Sequence, residues 1–120
     1  MALALAGCSS SPRTVALPPA VDGGWKLRSS TPIAPEEAPG RIPMLKPVQL
    51  LHGAYDGPTT IEVDVYQFKN ATAAFEALQS WRPDGQRLIR QHHEIFITAR
   101  SPQPDRSALD TFLNNLEKAL

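Results

Sequence analysis

Two adjacent histidines and a glutamate, His92-His93-Glu94, are the most metal-like residues of this chain, and His52 is its third histidine. Imidazole nitrogens and a carboxylate suit a zinc-type ion, which takes three or four converging N, S or O ligands. Neighbouring residues of a strand point to opposite faces, so His92 and His93 reach one ion only if the chain bends between them. Otherwise they are a polar hairpin tip that happens to carry two imidazoles. Glu62 and Asp64 are the second candidate. On a strand they share one face about 7 Å apart, a spacing at which two carboxylates can divide acid and base work. Catalytic pairs of this kind ordinarily face each other across a cleft, and the plain alternative is a solvated face that discourages edge pairing. Arg100 beside Ser101 is a weaker candidate, a single arginine placed to grip an anion after a strand.

Other chemistries lack their residues. No GxSxG elbow supports a nucleophilic hydrolase, and neither GxGxxG nor a Walker loop is present to hold a nucleotide. Twelve Lys and Arg balance twelve Asp and Glu. Proteins that live on phosphate contacts carry a basic excess, so no nucleic-acid partner is expected, and no cofactor is implied. Trp25, Tyr55, Tyr66 and Trp81 are the aromatics able to line a ligand groove. Trp81, ending an amphipathic segment, reads as core. Trp25, beside Gly23 and Gly24, reads as a surface contact, with Tyr55 its companion in a ligand-binding groove.

The only cysteine is Cys8, so no internal disulfide can form and no CxxC motif exists. It closes the run Leu5-Ala6-Gly7-Cys8, an aliphatic residue and two small ones before the thiol. This run resembles the lipobox of bacterial lipoproteins. The resemblance covers four positions and implies that Cys8 carries a diacylglyceryl group and becomes the first residue after signal peptidase II cleavage. Met1–Gly7 is then the remnant of a signal peptide, and, since no Lys or Arg precedes it, translation is expected to start upstream. The alternative is an ordinary buried helix with Cys8 as a small core residue. Ser9, Ser10, Ser11 and Pro12 oppose it, because nothing there continues a helix. Two or three acyl chains on one residue anchor a protein essentially permanently. Ser9 in the position after the cysteine, where an aspartate would resemble an inner-membrane retention signal, favours the outer membrane in a Gram-negative cell.

The positions able to do chemistry need elements to hold them. Residues 8–22 read as a proline-stiffened, lipid-anchored tether, and 23–120 as one domain. Nine of the twelve prolines lie at or before Pro58, so the first half of the domain is loop-rich. Trp25 to Pro32 alternates as a short strand, and Pro32 to Pro47 reads as a covering loop. "VQLLHGAY" fits either a strand or a helical turn, and Asp56-Gly57 signals a turn. "TTIEVDVYQF" is the clearest strand, with Ile61, Val63 and Val65 on one side and Glu62, Asp64 and Tyr66 on the other.

Asn70 is placed to cap a helix whose apolar stripe is Ala71, Ala74, Phe75, Leu78 and Trp81, ended by Pro83 and Gly85. "QRLIRQ" and "EIFITAR" make a hairpin about His92-His93. A last helix from about Asp105 carries Leu109, Phe112, Leu113, Leu116 and Leu120, with Ser107 and Asp110 at capping-box spacing.

These elements predict an α+β domain: a small antiparallel sheet with two amphipathic helices packed on one face. The stretch "YDGPTTIEVDVYQF…ATAAFEALQSW" and the hairpin after it, residues 54 to 100, resemble small uncharacterised bacterial envelope proteins, a likeness that implies no activity. The expected function is a membrane-anchored envelope lipoprotein that binds a protein or small ligand, with a non-enzymatic role favoured over an enzymatic one. The alternatives are a periplasmic metal-dependent enzyme or metal-binding factor built on His92, His93 and Glu94, and a structural subunit held by envelope partners.

Overall fold

The computed structural model describes residues 15–38, 40, 42–81, 87–102 and 105–120. Leu5-Ala6-Gly7-Cys8 and the stop signals Pro83 and Gly85 lie outside the described residues. The described residues form an α+β domain with six strands: β1 (Ala20–Val21), β2 (Trp25–Pro32), β3 (Gln49–Asp56), β4 (Ile61–Gln67), β5 (Arg87–His92) and β6 (Ile95–Arg100). Helix α1 (Ala71–Ser80) joins β4 to the β5–β6 hairpin, and helix α2 (Arg106–Ala119) follows β6. All neighbouring strands are antiparallel, in the spatial order β1-β2-β3-β4-β6-β5. "VQLLHGAY" is thereby resolved as strand β3, paired on both sides.

Strand alternation sorts the sheet into two unlike faces. On one face, Leu51 and Tyr55 of β3, Ile61, Val63 and Val65 of β4, and Ile95, Ile97 and Ala99 of β6 form one buried cluster. Leu109, Phe112, Leu113 and Leu116 of α2 close over it, the stripe expected from the 3.6-residue repeat. Asp105, not Ser107, caps this helix, its carboxylate accepting the Ala108 N–H at 3.1 Å.

The other face belongs to α1. Leu50, Tyr66, Phe68 and Phe96 form a second cluster with Ala74 and Ala77 of the helix and Ile42 of a 3-10 turn at Ile42–Leu45. The two helices therefore lie on opposite faces, which corrects the expectation that both pack on one. The cause is visible in β4 and β6, where Tyr66 and Phe96 make the nominally polar side of each strand apolar at one end.

Asn70 caps α1 as expected, its side chain accepting the Ala73 N–H at 2.9 Å. The buried stripe is rotated from the expected one. Ala74 and Ala77 face the aromatics, small enough to let the helix backbone sit close, while Phe75 points away with 46% of its surface exposed.

The segment expected to be tether is partly fold. Val15, Leu17 and Val21 are buried in the first cluster. The Gln49 side chain grips the Val15 backbone twice, accepting its N–H at 3.3 Å and donating to its carbonyl at 3.1 Å. Leu17 then lies over Gly53, where a β-carbon would come within 2.3 Å of the Leu17 Cδ1, and the Tyr55 hydroxyl donates to the Pro18 carbonyl at 2.7 Å. Residues 15–19 are thus a strap that helps close the α2 face before β1 pairs with β2. The domain begins at or before Val15, not at Gly23.

Candidate functional site

Beyond the reach of α1, the second face changes character. Its β3, β4 and β6 positions continue as His52, Glu62, Asp64, Thr98 and Arg100, and the edge strand β5 adds Arg87. Antiparallel register sets these side chains opposite one another: His52 against Asp64, Asp64 against Thr98, Glu62 against Arg100, and Arg100 against Arg87. Thr98 and Ala54 are buried and form the floor.

The charges above that floor are interleaved. The Asp64 carboxylate accepts from His52 Nδ1 at 2.7 Å, and its other oxygen lies 3.7 Å from the Arg87 guanidinium. His52 Nε2 faces Glu62 at 3.8 Å, and Glu62 accepts from Arg100 at 3.0 Å. A row of alternating basic and acidic side chains, Arg100–Glu62–His52–Asp64–Arg87, therefore crosses four strands. Arg87 ends it with its guanidinium 5.8 Å from the Trp81 ring centre, within cation–π range. At the same end of the sheet as Glu62 and Arg100, Arg28 pairs with Asp56 at 3.4 Å.

The hydrogen bond from Arg100 holds the Glu62 carboxyl below the usual carboxylate range. Burial opposes the shift, and the charges of Arg100, His52 and Arg28 add to it. Glu62 is thus kept ionised, which suits a fixed charge and not a proton donor. The imidazole has a carboxylate at each nitrogen. A general base needs a nitrogen directed at a reacting proton, and a shared metal needs ligand atoms converging on one point. His52 spreads its two nitrogens toward Asp64 and Glu62 instead. Among the described residues no group of three or more His, Cys, Asp or Glu is placed to hold a metal ion.

The other expected site residues lie elsewhere. His92 and His93 sit side by side with ring centres 4.6 Å apart, but His92 Nδ1 is 3.6 Å from Glu117 of α2. His93 opens the two-residue hairpin turn with a left-handed φ of 54°, and the Glu94 carbonyl accepts the Phe68 N–H at 2.9 Å. Arg90, between these residues and the sheet centre, binds Asp110, Asn114 and Glu117. The hairpin thus fastens β5 to α2.

Trp25 and Tyr55 are core residues, which corrects their reading as a surface groove. Trp25 is 3% exposed, donates its indole N–H to the Thr59 carbonyl at 3.0 Å, and meets Phe112 edge-on at 5.4 Å. Tyr55 is fully buried against the same Phe112 at 5.0 Å. Of the glycines that suggested exposure, Gly23 instead makes room for the indole, since a β-carbon there would fall 2.5 Å from Trp25 Cζ3; Gly57 does the same from across the fold, its β-carbon position 2.6 Å from Trp25 Cδ1. Trp81 belongs to the second cluster, as expected. Arg100 and Ser101 do not form an anion grip, since Arg100 turns to Glu62 and the Ser101 hydroxyl is 3.0 Å from that of Thr59.

Arg87 is the site residue that local pattern did not single out, because its place depends on pairing across the hairpin. No family model matches the chain, and neither the curated proteins nor the solved structures compared with it give a match.

Proposed function

We propose that the chain is a lipid-anchored module of the bacterial cell envelope that binds a protein partner through the charged half of its second sheet face. The Leu5-Ala6-Gly7-Cys8 run supports the anchor. The observation that carries the binding reading is the row of five interleaved basic and acidic side chains on one strand-built face of the curled sheet. Preformed ion pairs present fixed donors and acceptors at low ordering cost, and complementary charge sets register and rejects wrong partners. His52 Nδ1 is hydrogen-bonded to Asp64 and its Nε2 lies 3.8 Å from Glu62, so the imidazole is held in place within this row.

The test reverses charge without disturbing the core. Arg100→Glu and the exchange Glu62→Arg with Arg100→Glu are compared with the natural chain by in-cell cross-linking and co-purification from membranes, each beside a melting curve. The exchange keeps a salt bridge of opposite direction but replaces the carboxylate beside His52 with a cation, so it is expected to cost about 1 kcal/mol and leave the chain folded. Both variants lose the cross-linked partner if the platform is the interface. Retention of the same partner by the exchanged chain contradicts the proposal.

A further inference from the structure

Resting on the lipid-anchor reading of Cys8, we propose that the domain lies against the bilayer through one defined end, with Met44, Val48 and Phe75 in contact with lipid. Among the described residues these three are the exposed large apolar side chains: Met44 at 72%, Val48 and Phe75 at 46% each. Single exposed apolar residues are ordinary on a protein surface. These three ride on adjoining parts of one end. The 3-10 turn that carries Met44 packs on α1, which carries Phe75, and leads within four residues to Val48, immediately before β3.

The first described residue of the strap is at this same end. Val15 is held by Gln49, the residue after Val48, and the Val48 N–H donates to the Gln67 carbonyl at 2.7 Å where β4 finishes. The start of α1 is here too, because the Gln91 amide donates to the carbonyls of both Ala71 and His93 at 3.0 Å. Lys46 and Lys69, both exposed, flank the apolar residues.

Chain length then chooses the orientation. Seven residue steps separate Cys8 from Val15, which at about 3.5 Å each reach about 25 Å at full stretch. Strand β3, Gln49–Asp56, spans seven such steps, about 24 Å at 3.4 Å per residue, which takes up nearly all of that reach. An anchored Cys8 therefore cannot turn the far end of the sheet to the bilayer without straightening the whole link along the domain. The Val15 end faces the lipid and the exposed apolar residues are on it. The far end, with Glu62, Arg100, Arg28 and Asp56, is left outward for a partner.

The experiment uses the full chain with its single thiol coupled to a maleimide-bearing lipid in phosphatidylcholine vesicles, followed by hydroxyl-radical footprinting read by mass spectrometry. The control is the same chain capped with N-ethylmaleimide and mixed with identical vesicles. Met44 and Phe75 are expected to lose most of their oxidation in the coupled sample, with His52 oxidised as in the control. Equal oxidation of Met44 in both samples overturns the proposal, as does protection of His52 in place of Met44. Protection of Met44 that grows with protein concentration in the absence of vesicles also overturns it, by assigning the patch to a second copy of the chain. Chemical coupling keeps this result independent of whether cells acylate Cys8, which palmitate labelling reports separately.

Discussion

Tyr55 and Tyr66 show how burial at single positions becomes a property of the whole fold. Each phenol is buried in one of the two clusters, and burial pushes both well above their ordinary value, Asp64 adding to the effect at Tyr66. The folded chain thus keeps these protons to higher pH than the unfolded chain does. Above the ordinary phenol value of about 10 the native state binds more protons than the unfolded state, so stability is intact below that pH and falls as pH rises past it. Urea midpoints measured from neutral to strongly alkaline pH are expected to fall only in the alkaline range. Tyr55→Phe removes one hydrogen bond to the Pro18 carbonyl, so it lowers stability by about 1 kcal/mol at neutral pH and flattens the alkaline decline. An unchanged decline in that variant would assign the effect to other groups. Glu62 has the opposite sign: held below the usual range by Arg100, it stabilises the fold above the ordinary carboxylate value, and that contribution is lost as pH falls.

At the scale of elements, the strap and Gly53 form one unit. Gly53 sits in the middle of β3 because Leu17 occupies the space its side chain would need, with Val63 Cγ1 and the Ser29 carbonyl oxygen each 3.5 Å from that position. Gly53→Ala is expected to cost roughly 1–3 kcal/mol through overpacking and to lift the strap, read as faster proteolysis between Val15 and Pro19. Combining it with Leu17→Ala recovers part of the loss, since the two side chains compete for one volume. Additive losses in the double variant would contradict that coupling. Much of this layout was legible in sequence: the alternation in Ile61–Gln67, the Asn70 cap and the stripe of α2 all follow from local pattern. The strap was not, because "TVALPPAVD" has no periodicity and its burial depends on Gln49 and Tyr55, more than thirty residues away. Pairing across β3 and β4 was also hidden. A tight turn centred on Asp56-Gly57 would set His52 opposite Ile61, whereas the observed connection sets Tyr55 opposite Ile61 and brings His52 to Asp64. The charged platform exists only in that register, so reading Glu62 and Asp64 alone could not reveal it.

Taken as a whole, the molecule divides its surfaces by job. One sheet face is sealed by α2 and the strap, and the other is half sealed by α1 and half charged. Trp25 and Tyr55 drew attention as aromatics, yet they serve the sealed face. The residues that face outward in the account are ion-paired, and the exposed apolar ones lie toward the end of the sheet where Gln49 holds Val15. Orientation at the bilayer and the outward platform both depend on a hydrophobic anchor at Cys8. The most direct measurement is incorporation of an alkyne-bearing palmitate analogue in the native cell, comparing the natural gene, with its own start, against Cys8→Ser. Label on the natural chain that vanishes with the thiol, together with loss of the protein from the membrane fraction, is the predicted result. Label that persists in the serine variant, or an unlabelled natural chain recovered free of membrane, would contradict the account.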